Sequence, residues 1–494
     1  MEPTSTLSYL AVDLGASSGR AVLGTLADGR MAMREVHRFP SVLVEERGHL
    51  CWDLERLWEE VRRGVAEALR LAPGLRSVSV DSWAVDYVPL DADGVPLRRP
   101  YAYRDSRTRG ALSELFRRLP EEQIYARTGI QFLEFNTLPQ LLVDLAEEPA
   151  VVRRTVLRLL IADYFLYRLS GRAVAERTMA STTQLMDVHS GEWAAPLLRA
   201  LGDDPARWPP IVPPGSVLGE LRGAPKGTRV PLVVATCSHD TAAAVAAVPA
   251  TGDVPWAYIS SGTWSLVGGE LSAPVLSPAA RAAGFTNEAG LDGTIRFLKN
   301  RTGMWVLEEC MREWREAGER PAWEALLEAA AAAPSPDGVL DLDAPEFGQR
   351  GGMVPRLEGA CRAAGVTVPR TRGELVRLVL ESLARSYRRT LADLEALTGV
   401  RAEVVHVVGG GARNHVLNQL TADACGRRVV AGPQEATAIG NLLVQARTLG
   451  DLPAGASVRD TARRSARLFE YLPGRATSGR AEAAATTRIV ESRA

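Results

Sequence analysis

YLAVDLGASSGRAVLG, Tyr9–Gly24, is an apolar strand, a bend of small residues and a second apolar strand. AYISSGTWSLVG, Ala257–Gly268, repeats that design past the midpoint of the chain. Small residues let a backbone approach a ligand closely, and their N–H and hydroxyl groups suit phosphate oxygens. One such hairpin says little, because Gly/Ser bends join ordinary strands everywhere. Two of them, one per half, predict two α/β lobes that grip a nucleotide's phosphates from opposite sides.

Outward from the first hairpin, Leu10–Leu14, Ala21–Leu26 and Met31–Phe39 read as a strand meander. Leu54, Leu57, Trp58, Val61, Val65, Ala68 and Leu69 then share one helix face. Asp53 suits its N-cap, and Pro73-Gly74 ends it. Ser77–Val80 reads as a strand running into DSWAVDYVPL, and Val230–Thr236 as one leading into SHDTAAAVAAV. In the second half, apolar spacing predicts a long helix over Glu374–Leu397 with Gly399 as C-cap. The boundary falls at Pro249–Val254, which gives domains 1–248 and 254–470. The Ala/Arg/Thr/Ser-rich tail 471–494 has no apolar period and is expected to be mobile.

The 494 residues suffice for at least two domains. A net charge of -1 leaves no electrostatic footprint for nucleic acid or an anionic membrane. Lys226 and Lys299 are the only lysines, so few positions can offer a catalytic lysine. The five cysteines lack C-x-x-C spacing and are odd in number, which predicts reduced thiols in a cytoplasmic protein. No apolar run reaches membrane-spanning length, and the first residues show no basic leader.

Several residues can carry chemistry. Asp13 ends the first strand and can hold Mg²⁺ against nucleotide phosphates, or simply cap the bend. Ser17, Ser18 and Arg20 follow as phosphate donors, with Thr263 facing the same choice in the second bend. No G-x-x-x-x-G-K-[ST] loop exists, so an ATP site here works without a phosphate lysine. Asp240 stands where a strand meets an alanine-rich helix, preceded by His239. It can accept a substrate hydroxyl's proton, or serve as an N-cap. GGGARN at Gly409–Asn414 and GPQEATAIGN at Gly432–Asn441 are turns that can admit a nucleotide or merely lead into helices. Asn300, beside Lys299, can bind a sugar hydroxyl or be a turn residue.

Taken together, Tyr9 to about Gly450 resembles the FGGY carbohydrate kinases of the actin–hexokinase–Hsp70 superfamily. The matching blocks include VDLGASSGR, LCWDLERLW, RPYAYRDSRT, YARTGIQFLEFNTLPQL, SHDTAAAVAAVP, YISSGTWSLVG, FTNEAGLDGTIRFLKN and VVGGGARNHVLNQLTADACG. The resemblance implies two ribonuclease-H-like, actin-like ATPase domains with ATP and sugar in a central cleft. It implies ATP and Mg²⁺ as cofactors and a small sugar as the only other partner, and it leaves the oligomeric state open. Within the family it points to L-rhamnulose, phosphorylated at its 1-hydroxyl, with other ketoses or polyols as rivals. Asp240 matches the family's base. Ala16, Ser17, Ser18, Gly19 and Arg20 match the first phosphate loop. Thr263, Glu308 and Gly410 match nucleotide contacts, and Ala84, His239, Asp240, Thr241 and Asn300 match sugar contacts. Asp13 matches the metal-associated aspartate. Three positions depart from the pattern: Ala84 replaces a glycine, Glu308 a common glutamine, and Thr421 a cysteine that some members pair with the one at Cys425.

Overall fold

The central strand of the first sheet, Leu7–Leu14, alternates between two cores. Leu10, Val12 and Leu14 pack with Leu57, Val61 and Ala68 of the helix Leu54–Leu71. Tyr9 and Ala11 face the other way, onto Ala243, Ala246, Leu442 and Leu443. Period-two side chains on a strand covered on both faces produce this division. The predicted cap holds: the Asp53 carboxylate accepts from Arg56 N at 3.3 Å.

The computed structural model describes residues 6–225, 229–252, 254–474 and 488–490. Two compact units emerge. Unit 1 comprises Met1–Ala247, Glu270–Phe297 and Ala436–Ser465, and unit 2 comprises Val248–Gly269, Leu298–Glu435 and Ala466–Ala494. These units differ from a single cut at residues 249–254. The helix Ala436–Thr448 lies in unit 1 because its apolar residues complete the core beneath Tyr9 and Ala11. The tail expected to be mobile lies largely outside the described residues.

Unit 1 is built on six strands ordered Ser216–Glu220, Leu232–Ala235, Ser77–Ser82, Leu7–Leu14, Ser18–Ala27, Arg30–Pro40. The last three form the antiparallel meander, while Ser77–Ser82 runs parallel to Leu7–Leu14 and Leu232–Ala235 parallel to Ser77–Ser82. Unit 2 follows the same plan. Trp256–Ser261 pairs antiparallel with Trp264–Leu271 and parallel with Val404–Val408, which runs parallel to Arg428–Ala431. A hairpin followed by parallel crossovers is the ribonuclease-H-like pattern, present once in each unit.

The long helix of unit 2 spans Arg372–Thr398. Thr371 and Glu374 form a reciprocal capping box, and Gly399 ends the helix in the left-handed region at φ 70°. Among the described residues, no helix is long and apolar enough to cross a membrane. All five cysteines are free thiols.

Candidate active site

Three aspartates of unit 1 lie at or just beyond the carboxyl ends of its strands, where open α/β sheets place their ligands. Asp13 and Asp81 are register partners on parallel neighbours. Asp240 opens the helix Asp240–Ala246, with His239 at the N-cap, so Asp240 is not the cap itself. Burial pushes the Asp13 carboxyl up, Arg20 opposes the rise, and Asp240 adds to it. Asp81 is fully buried, and desolvation together with Asp13 holds it well above the usual carboxylate range. Asn441 Nδ2 donates to Asp81 Oδ2 at 2.6 Å, while Asp81 Oδ1 is buried without a partner. Crowded, partly unsatisfied carboxylates favour a cation.

Arg20 lies across the hairpin from Asp13 and donates to Asp13 Oδ2 through Nε at 3.0 Å and Nη2 at 2.9 Å. The bend between them is closed by Gly15 N donating to Ser18 O at 3.1 Å. Ala16, Ser17 and Ser18 sit in or beside it. Gly19 has a packing reason to be glycine, since a Cβ there would lie 2.3 Å from the Phe39 ring.

The Ser238-His239-Asp240 segment is held from below. The buried Glu176 carboxylate accepts from Ser238 N at 2.9 Å and from Thr178 N at 2.9 Å, and Thr178 Oγ1 accepts from His239 N at 3.2 Å. Asp240 Oδ1 accepts from Thr241 N and, at 3.1 Å, from Thr241 Oγ1. His239 Nε2 stands 3.4 Å from that same oxygen. The Asp240 side chain is 32 % exposed and the His239 side chain 7 %.

Ala84 is half-buried in the turn Trp83-Ala84-Val85. Val85 adopts φ 71°, a strained value for a β-branched residue. Its carbonyl is fixed by Thr137 Oγ1 at 2.6 Å, and the adjoining Asp86 accepts from Trp52, Trp83, Gln140 and Tyr103 N. Burial raises the Asp86 carboxyl from 3.8 to about 6, against the pull of those donors. The native state therefore keeps this proton to higher pH than the unfolded chain, and its stability falls as pH rises from 4 through 6. Relative to Asp86→Asn, which cannot titrate, the wild type loses about 3 kcal/mol over that interval. Melting temperatures of both proteins from pH 4 to 8 measure this. A gap that does not change with pH refutes it.

Unit 2 carries Thr263, Glu308 and Gly410, and the first two are in contact. The second bend is anchored by Met304 N donating to Gly262 O at 2.9 Å and Trp305 N to Thr263 O at 3.2 Å. One turn into the helix Trp305–Glu316, Glu308 accepts from Thr263 Oγ1 at 3.3 Å. Gly411 lies against the same bend, where a Cβ would sit 2.0 Å from Ser261 Oγ, whereas a Cβ on Gly410 would meet open space. Asn300 and Lys299 are half-buried within the strand Ile295–Thr302, not in a turn.

Sequence reasoning did not single out Asp81, Asp86, Glu176, Glu288, Arg296 or Asn441. A usable signal existed for one of them. Arg296 interrupts the short apolar run Ile295–Leu298, a pattern that points to buried pairing, whereas Glu288 lies in the polar strand Thr286–Ala289.

This chain belongs to the FGGY family of carbohydrate kinases: residues 8–247 match the family's N-terminal domain and residues 257–449 its C-terminal domain. It is thus an ATP-dependent sugar kinase. The rhamnulokinase of Bacteroides thetaiotaomicron is 41 % identical over 469 residues, covering 94 % of this chain and 96 % of that one. The rhamnulokinase of Klebsiella pneumoniae strain 342 is 42 % identical over 466 residues, covering 94 % of each. Among solved structures, gluconate kinase from Lactobacillus acidophilus aligns with a TM-score of 0.77 at 18 % identity, over 95 % of this chain and 94 % of that one. Plasmodium falciparum glycerol kinase with ADP aligns at 0.74 and 15 % identity, over 94 % of each chain. At such identities these structures speak for the two-domain fold alone.

Proposed function

We propose that this kinase transfers the γ-phosphoryl group of ATP to the 1-hydroxyl of L-rhamnulose, in the cytoplasm, giving L-rhamnulose 1-phosphate and ADP. The names of its relatives at 41–42 % identity support the sugar. The observation that carries the chemistry is the Asp240 carboxylate. Its Oδ1 is engaged by Thr241 and faced by His239, and its Oδ2 has no protein donor among the described residues.

Residues 1–248 supply the base, the sugar contacts at Ala84, His239 and Thr241, and the phosphate loop Ala16–Arg20. Residues 254–470 supply Asn300 for the sugar and Thr263, Glu308 and Gly410 for the nucleotide. Asp240 Oδ2 takes the proton of the 1-hydroxyl as that oxygen attacks phosphorus, and ADP departs. The protein's work is positioning and charge neutralisation, with no covalent intermediate. Asp13, beside Asp81, is the residue to hold Mg²⁺, directly or through water. Among the described residues no three side chains form a ready metal cage. A magnesium ion bound mainly by phosphate oxygens and water needs only one or two carboxylates. When bound, Mg²⁺ neutralises phosphate charge.

A coupled ADP-release assay across a sugar panel tests the reading. L-Rhamnulose is expected to exceed L-fuculose, D-xylulose and glycerol in kcat/KM by at least about tenfold. A different sugar at the top removes the substrate assignment, and no sugar-stimulated ADP release removes the whole proposal.

A further inference from the structure

Arg296 is a wholly buried guanidinium behind His239. Its Nε donates to Ala289 O at 3.0 Å, and its Nη2 pairs with Glu288 Oε2 at 2.9 Å. The same Nη2 contacts His239 Nδ1 at 3.1 Å. Burial alone would raise the Glu288 carboxyl, but the Arg296 guanidinium beside it helps bring it below its ordinary value, so the pair is ionic.

A guanidinium has only N–H donors, offers no acceptor, and does not deprotonate in proteins. His239 Nδ1 also stands 3.4 Å from Glu288 Oε2, but its shorter contact, at 3.1 Å, is to the Arg296 Nη2 donor, and to that donor the ring nitrogen presents its lone pair. A neutral imidazole with its lone pair at Nδ1 carries the proton at Nε2. That Nε2 is the atom facing Asp240 Oδ1. The charged groups around the ring are Asp240 on its own segment, Glu288 on the strand Thr286–Ala289 and Arg296 on the strand Ile295–Thr302.

We infer that Arg296, oriented by Glu288, is a positioning residue that locks His239 in the Nε2–H tautomer, so that Asp240 Oδ1 is held by donors and Oδ2 is left to act as the base. This rests on the reading of Asp240 given above. Three donors, Thr241 N, Thr241 Oγ1 and His239 Nε2–H, then converge on one carboxylate oxygen. They fix the plane of the carboxylate and direct its basicity to the other oxygen. Reversing the tautomer would aim a lone pair at Oδ1 and turn an attraction into a repulsion.

The direct test is nitrogen NMR of ¹⁵N-histidine-labelled full-length protein, with His239 assigned by loss of its signals in His239→Gln. The expected result, read at pH 8, is the Nε2–H tautomer. An Nδ1–H tautomer, or an imidazolium at pH 8, overturns the inference. Because Arg296→Met alone strands a buried carboxylate, the kinetic arm uses Arg296→Met with Glu288→Met, and separately Arg296→Lys. The double variant is expected to lose kcat by about 10- to 100-fold with its KM for ATP unchanged, and Arg296→Lys, which can still donate to Nδ1, to recover part of it. Full kcat in a double variant that no longer shows the Nε2–H signature overturns the inference. A wild-type enzyme that shows the tautomer but turns over no sugar would instead defeat the kinase mechanism, and with it the role of this lock.

Discussion

Asp240→Asn is expected to lower kcat by about 10²- to 10⁴-fold while folding and nucleotide binding stay intact. The amide keeps the shape of the carboxylate, and its carbonyl oxygen still accepts from Thr241 N and Thr241 Oγ1. What it lacks is a basic oxygen to take a proton from the attacking hydroxyl. Stability is not expected to fall, because Asp240 is part-exposed and shares its surroundings with Asp13 and Asp81. Removing one of three crowded carboxylates relieves repulsion. Steady-state kinetics, ADP titration calorimetry and thermal melting separate the outcomes. Near-normal kcat at saturating sugar and ATP would end the base assignment.

Gly440→Ala should be the most damaging small substitution in unit 1. Gly440 lies in the helix Ala436–Thr448, where that helix meets the one beginning at Asp240. A Cβ on Gly440 would lie 1.9 Å from the carbonyl oxygen of Ala243 and 2.7 Å from its carbon. Backbone cannot yield as a flexible side chain can, so the helices must separate. Overpacking of this kind costs about 3 kcal/mol. Alanine's better helix propensity returns only about 1 kcal/mol, so the clash wins. With about 2 kcal/mol lost, the apparent Tm should fall by roughly 3 °C. Because the displaced helix carries Asp240, kcat should fall as well. Gly359 is the control: it lies in the helix Met353–Ala364 and a Cβ there meets nothing within 4 Å. Gly359→Ala should stabilise slightly. Equal effects of the two alanines would show that close helix contact is not the reason for glycine at position 440.

The two glycines show where a sequence reading stops. Both are isolated glycines within helical patterns, and nothing nearby in the chain distinguishes them. GPQEATAIGN offered small residues for a nucleotide, yet Gly440 is small to let Ala243 approach. Gly19 belongs to the phosphate-loop pattern and is also required by Phe39. Around His239 the reading reached only the neighbours in sequence. Glu176, Glu288 and Arg296 arrive from a short helix cap and two strands.

The sequence alone determined the two hairpins, the alternation of strands and helices, the Asp53 cap and the long helix closed by Gly399. Those follow from side-chain periods of two and 3.6 and from capping groups a few positions away, so the information is local. The family could also be read, because its longest motifs are contiguous. The folded chain was needed to set Asp13 opposite Asp81 through the register of parallel strands, and to bring Asn441 to Asp81 from 360 residues away. It also placed Arg296 against His239. Charge, desolvation and tautomer depend on what lies within a few ångströms, and strand crossovers bring to that distance residues that the chain keeps far apart.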